Sequence, residues 1–243
     1  MQDFFNGLYE SFVKTFITDD RWMQLLNGLL VTVEITLAAA VIGIVIGFLI
    51  AIVRSTYDMN LSGRKCRSLG DYILKVVNFI CNIYITVIRG TPVVIQLMIM
   101  YFIVFASSRD GIVAAIISFG INSGAYVAEI VRSGIMSIDK GQFEASRSLG
   151  FNYKSTMIYV IIPQAFKNIL PALGNEFIVL VKETSVAGYV AIQDLTYVGN
   201  LIRSRTYEAF FPLIAVALIY LVIVLILTFL LKKLERRLRS SDH

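Results

Sequence analysis

One histidine, two cysteines and four prolines are spread over 243 residues. The lone imidazole is His243, so a His-based metal site or a His-centred catalytic triad has no material to form from. Cys66 and Cys81 fit neither a C-x-x-C nor a metal-ligand spacing and are expected as free thiols. Charge is sparse as well: 16% of residues are Asp, Glu, Lys or Arg, against 57% hydrophobic. No G-x-x-x-x-G-K-[ST], G-x-S-x-G or G-x-G-x-x-G is present, so no nucleotide cradle or nucleophile elbow is expected in this chain. The opening MQDFFNGLYESFVKTFITDDRW has no basic leader and carries Asp19 and Asp20 just before the apolar run, unlike a cleavable signal peptide.

What the chain does have is apolar length, with a mean hydropathy of +0.73. Uncharged, mostly apolar runs cover 35–53, 111–128 and 212–231. A helix needs about 20 such residues to cross the hydrocarbon of a bilayer. A buried soluble helix explains any one run, but three in a chain this size point to a membrane. The stretch 76–106 is interrupted by charge only at Arg89, and at about 1.5 Å per residue it is too long for one straight crossing. Pro92 has no N–H to donate, so a kink or restart is expected at Arg89-Gly90-Thr91-Pro92. Residues 71–88 then read as a lead-in at the membrane surface plus first turns, with 93–106 completing the crossing. A fifth span, 169–192, contains Lys182 and Glu183.

The expected fold is an all-α integral membrane protein, one transmembrane domain over 1–243 with spans at 25–53, 73–106, 111–131, 167–192 and 208–233. Residues 1–24, with Phe4, Phe5, Phe12, Phe16 and Trp22, are expected to form a helix along the outer interface. Orientation follows from Lys and Arg. With five crossings, Arg54, Arg64, Lys65, Arg67 and Lys75 share a side with Arg132, Lys140, Arg147, Lys154 and Lys167, and with Lys232, Lys233, Arg236, Arg237 and Arg239. The other side holds Lys14, Arg21, Arg109, Arg203 and Arg205. The N-terminus is therefore expected outside and the C-terminus in the cytosol. The net charge of +5 reads as this topology signal, because the basic residues flank spans and do not cluster as a nucleic-acid face would.

One polar segment, 137–163, interrupts the greasy pattern. Asp139 with Gln142 reads as a capping pair opening a short helix, and Gly150 stands where a left-handed residue would end it. Asn152 can cap a second helix over 153–162, which Pro163 ends or bends. Phe143 and Leu149 are the only large apolar residues of the first helix, so it cannot hold itself against a bilayer by apolar burial. It is either a solvated loop or a knob whose partner covers Phe143, Ala145 and Leu149.

EASRSLGFNYKSTMIYVIIP, residues 144 to 163, resembles the EAA loop of bacterial ABC importer permeases. Glu144, Ala145, Gly150 and Pro163 occupy the matching places at unchanged spacing, while Ser146, Val160 and Ile162 replace Ala, Ile and Leu. Arg89-Gly90-Thr91-Pro92 resembles the R-G-T-P of the polar amino-acid uptake branch. Residues 125–132, AYVAEIVR, resemble its A-Y-x-A-E-I-x-R, and Lys182-Glu183-Thr184-Ser185 its K-D-T-S. The resemblance covers roughly residues 25 to 232. It implies a type I ABC importer permease fold of the bacterial inner membrane, paired with a second permease subunit. ABC ATPase subunits on the cytosolic face would bind ATP and Mg, with no cofactor in this chain, and an extracytoplasmic binding protein would deliver an amino acid. On this resemblance Phe143, Glu144, Ala145, Ser146, Leu149, Gly150 and Pro163 form the coupling segment seated in the ATPase.

Ionisable groups at membrane depth are costly and usually face a cavity or the bundle interior. Glu34 and Glu129 lie near span ends, where a structural role suffices, for instance a pair of Glu129 with Arg132 at i, i+3. Lys182 and Glu183 are adjacent on a helix and cannot pair with each other. Asn122 either bridges helices or lines a path. For a zwitterionic substrate, Asn122, Gln96, Thr184 and Ser185 supply donors and acceptors, and Glu183 favours an ammonium. A stand-alone carrier fits poorly because no internal repeat is visible. An intramembrane enzyme fits poorly because paired catalytic groups are missing.

Overall fold

The computed structural model describes residues 2–107 and 111–240. Arg109 and His243, and the side chains of Phe4 and Arg239, lie outside the described part. Ten α-helices and no strand occur among the described residues. In chain order they are α1 (Gln2–Phe12), α2 (Arg21–Asn60), α3 (Leu69–Gly90), α4 (Val93–Ile99), α5 (Gly111–Met136), α6 (Lys140–Ser148), α7 (Tyr153–Thr156), α8 (Ile162–Glu183), α9 (Leu195–Thr206) and α10 (Phe210–Ser240). Five stretches are long and apolar enough to cross a membrane: Phe5–Asn60, Leu69–Gly90, Gly111–Met136, Tyr153–Val190 and Phe210–Leu238. The all-α, five-span architecture expected from the sequence is met.

Several boundaries differ for physical reasons. At 40 residues, α2 is about 60 Å long and begins well before the uncharged run, because the polar first turns at Arg21 need no lipid. The chain does restart at Thr91-Pro92, as expected from the missing proline N–H. Yet α3 alone is long and apolar enough to span, whereas Val93–Val104 is a shorter apolar helix. Ser68 and Asp71 form a reciprocal capping box that fixes where α3 starts.

Pro163 was expected to end or bend the helix that Asn152 opens; the winding runs on through it, so it does not end there. Pro163 lies in the first turn of α8, and the strain is absorbed just before it, where Met157–Ile161 winds as a π-helix. Widening the turn relieves the clash between the pyrrolidine ring and the carbonyl of the preceding turn.

The chain divides into two compact units. One comprises Met1–Ala39, Pro92–Phe119 and Ile178–Thr228. Its core is Leu25, Leu195, Val198, Ile202 and Val216. The buried Thr32 hydroxyl donates to the Gly28 carbonyl at 3.0 Å and accepts the Leu195 N–H at 3.1 Å, so one side chain ties the first turn of α9 to α2. Asp194 caps α9 by accepting from the N–H groups of Thr196 and Tyr197. Ser11 donates to Glu208, and Phe12 and Phe16 meet Phe211 edge to face, holding α1 and the segment that follows it on the start of α10.

The other unit comprises Ala40–Thr91, Gly120–Phe177 and Phe229–His243. Ala51, Val127, Val131, Ile135, Ile161, Ala165 and Ile169 form its core. Small residues bring the helices close, as expected where dispersion contacts replace the hydrophobic effect. A Cβ on Gly47 would lie 2.4 Å from Val127 Cγ1, and one on Gly174 would lie 2.3 Å from Leu231 Cδ1.

Candidate functional site

The polar segment folds in the second unit largely as its residues dictate. Asp139 caps α6 by accepting the Gly141 N–H, but Gln142 does not close a capping box; its side-chain oxygen instead accepts from Gln164. Gly150 has φ +88, the left-handed conformation that any side chain would strain. Asn152 caps α7 by accepting the Ser155 N–H at 2.9 Å. Phe143 packs on the core around Ala165 and Ile169, and Ser146 is buried with its hydroxyl donating to the Gln142 carbonyl. These two residues seat α6 on its own chain. Glu144, Ala145 and Pro163 are exposed, and Leu149, at 80% exposure, stands clear of the protein. So α6 has an inner face that anchors it and an outer face with Glu144 and Ala145, and Leu149 and Phe151 just past its end are exposed beside it.

Close by in the same unit, two sequence motifs converge. Glu129 accepts from Arg54 at 3.2 Å and from Arg132 at 3.2 Å, and Arg89 lies 3.9 Å away. Arg132 also pairs with Asp58 at 3.0 Å, and the Arg89 guanidinium stands 5.1 Å over the Tyr126 ring. The i, i+3 pair of Glu129 with Arg132 was legible in the sequence. The contributions of Arg54, Asp58 and Arg89 were not. Three cations and two carboxylates thus fasten α2, α3 and α5 together, with Arg89 at the point where α3 gives way to the Thr91-Pro92 break.

The residues proposed for a polar path divide between the units. Asn122, in the second, is buried. Beside it Ser123 donates to Glu176 at 3.3 Å. Sequence reasoning missed Glu176, although its signal was plain: a carboxylate inside the same span as Lys182 and Glu183. In the first unit, α4 with Gln96 packs against the 184–190 turn that follows α8. Thr184 is fully enclosed, its hydroxyl donating to the Val181 carbonyl at 2.9 Å and lying 3.1 Å from that of Thr36. It therefore ties α8 to α2 and presents nothing to a cavity. Ser185, however, opens with Lys182, Thr196 and Tyr220 onto a cavity of about 300 Å³, walled by Leu213, Val216 and Ala217. A cation and three hydroxyls facing an apolar wall suit a small polar solute. Glu34 is exposed on α2, directly before the uncharged run 35–53. No cluster of metal-ligating side chains occurs among the described residues.

Residues 69–240, covering α3 to α10, match the family of binding-protein-dependent transport system inner membrane components. The chain belongs to that family. It is 39% identical over 221 residues to the arginine transport system permease protein ArtQ of Bacillus subtilis (strain 168), spanning 90% of this chain and 94% of that one. It is 37% identical over 219 residues to the glutamine transport system permease protein GlnP of Escherichia coli (strain K12), spanning 88% and 93%. A solved amino acid ABC transporter with histidines superposes with a TM-score of 0.77 at 41% identity, covering 88% of this chain and 94% of that one. The MetNI methionine ABC transporter, in an inward-facing conformation, matches with a TM-score of 0.75 at 21% identity over 91% and 99%, a likeness of fold alone. The resemblance to ABC importer permeases carried by the EAA loop and the R-G-T-P, A-Y-x-A-E-I-x-R and K-D-T-S stretches is borne out.

Proposed function

We propose that this family member is the permease subunit of an ATP-driven ABC importer for amino acids in the bacterial cytoplasmic membrane. The observation that carries the reading is the near-full-length likeness to the arginine and glutamine transport permeases. In it, the N-terminus lies outside and the C-terminus in the cytosol, and two permease subunits, alike or similar, enclose the path. An extracytoplasmic binding protein delivers the amino acid. The chain is no enzyme itself: a partner ATPase binds ATP and Mg and hydrolyses the nucleotide.

Coupling runs through α6. A helix held by Phe143 and Ser146 on one face and offering Glu144, Ala145 and Leu149 on the other suits a plug seated in a groove of the ATPase. Gly150 turns the chain back, and α7, the π segment and Pro163 lead directly into α8. Movement of the plug therefore passes along the chain into α8, which carries Pro171 in its interior. In the first unit Gln96, Glu183 and Ser185 supply polar contacts of the path, with Glu183 accepting the substrate ammonium or a basic side chain; in the second, Asn122 offers a buried amide. Thr184 serves it by holding α8 in place.

The test is uptake of a panel of labelled amino acids into vesicles carrying the complete transporter. Leu149→Asp and Glu144→Arg are expected to lower uptake by at least about tenfold, as loss of a central interface anchor does, while ATP still binds the ATPase. Asn122→Ala and Glu183→Ala are expected to change which amino acids enter. Uptake that persists without ATP and follows an ion gradient would replace this reading with a secondary carrier. If both path variants leave rate and selectivity unchanged, the assignment of the path is wrong.

A further inference from the structure

The last turns of α10 carry a strongly basic groove that the transport reading does not use. Phe229, Lys232, Lys233, Arg236 and Arg237 line an open cavity of about 570 Å³. The cations stand as two i, i+4 pairs, 232 with 236 and 233 with 237, and the 68%-exposed Phe229 lies one turn below them. The groove begins where the uncharged run 212–231 stops, so it sits at the edge of the hydrocarbon whichever side of the membrane it faces.

The rotation of α10 settles what the groove looks out on. Leu231, 8% exposed, packs on Gly174 of α8 so closely that a Cβ there would lie 2.3 Å from Leu231 Cδ1. At about 100° per residue, the five groove residues fall between about 100° and 240° from Leu231, centred opposite the contact with α8. Glu235, the only acid of these turns, falls about 40° from Leu231, on the packed side. It is half-buried, as is Leu238, whereas Lys232, Lys233, Arg236 and Arg237 are exposed. Glu235 is thus turned away from Lys232, Lys233, Arg236 and Arg237. An aromatic floor below a concentrated positive charge, both turned away from the protein at the end of a span, matches a lipid: phosphate above and first methylenes below.

We propose that the α10 groove binds the headgroup of an anionic phospholipid. The full-length protein, purified with its accompanying subunits, is equilibrated in mixed micelles of phosphatidylglycerol and phosphatidylcholine, and the lipid it retains is quantified by mass spectrometry. Phosphatidylglycerol is expected in excess. The charge-neutral K232Q/K233Q/R236Q/R237Q is expected to lower that excess by at least about tenfold, from about fivefold per cation near an anionic surface less the share screened by salt. The charge-preserving K232R/K233R/R236K/R237K is expected to keep it. In the unaltered protein, raising salt should lower the excess, and inorganic phosphate at the same ionic strength should do no more than salt does. The proposal is overturned by an excess insensitive to salt, by one unchanged in the charge-neutral protein, or by displacement with inorganic phosphate. It is equally overturned if neutralisation releases a protein subunit while lipid preference stays intact, since the groove would then be a protein contact.

Discussion

Replacing Glu129 by Gln takes one negative charge from the centre of a cluster that holds three guanidinium groups. Arg54 and Arg132 contact its carboxylate at 3.2 Å and Arg89 stands at 3.9 Å. At an effective dielectric constant near 20, unit charges about 4 Å apart attract by about 4 kcal/mol. The carboxylate is 24% exposed, so solvent screening removes a good part of that. The substitution is also not neutral in shape: the Gln Nε2 brings a donor toward donors. Breaking a fully buried pair costs about 3–5 kcal/mol, and for this partly screened site about 2–3 kcal/mol is expected. For a chain of this length that corresponds to roughly 5–10 °C in the Tm of the detergent-purified protein. The geometry also orders the arginines. Arg54, 15% exposed and in direct contact, should cost about 2 kcal/mol as Arg54→Gln. Arg89, 43% exposed and farther off, should cost less than about 1 kcal/mol as Arg89→Gln. Because Arg89→Gln removes a cation left over once Glu129 is gone, the double variant should lose less than the two single losses added together. Thermal unfolding of the five proteins, the unaltered one included, measures all of this. If E129Q unfolds within about 1 kcal/mol of the unaltered protein, or if R89Q costs as much as R54Q, the cluster does not hold the three helices as described.

Gly47→Ala is expected to cost about 1–3 kcal/mol by overpacking. Val127→Ala should not rescue it, because the Val127 Cβ itself would lie 2.5 Å from the new methyl; thermal unfolding of single and double variants decides. At φ +88, Gly150→Ala should cost about 1 kcal/mol and Gly150→Asn less, again read from unfolding. Burial pushes the Asp194 carboxyl from its ordinary 3.8 up to about 6, against the two N–H groups it caps. The folded protein therefore holds this proton to higher pH than the unfolded chain does. The stability that protonation supplies, up to about 3 kcal/mol, is complete below about pH 4 and lost as pH rises through 6. Asp194→Asn keeps an accepting oxygen for the cap and should flatten that part of the stability–pH curve; an unchanged slope would refute the assignment.

Local signals were the legible ones. The break at Thr91-Pro92, the left-handed Gly150, the Asn152 cap and the Glu129–Arg132 pair are each set within a few residues. Glycine tolerance, a missing N–H and helical i, i+3 spacing act over that range. Spans were legible because few structures besides a membrane crossing need so long an uncharged apolar run. Their ends were not: α2 continues through polar turns that carry no hydropathy signal. The ion cluster escaped because Arg54 and Glu129 are far apart in sequence and meet only once α2 and α5 pack. Ser146 and Phe143 read as part of an outward knob, yet the register of α6 turns both toward the core. Thr184 read as a path residue for a similar reason, since a hydroxyl in a span shows its polarity but not which way it points.

The π-helical stretch at Met157–Ile161 is a spare link in an otherwise taut cable. It stores one residue more per turn than its neighbours. Drawing that residue back into ordinary winding would turn α7 by about 100° around the helix axis and slide it about 1.5 Å along it, and would press the Pro163 ring back onto the carbonyl of the preceding turn. The proline that set the link there also holds it open.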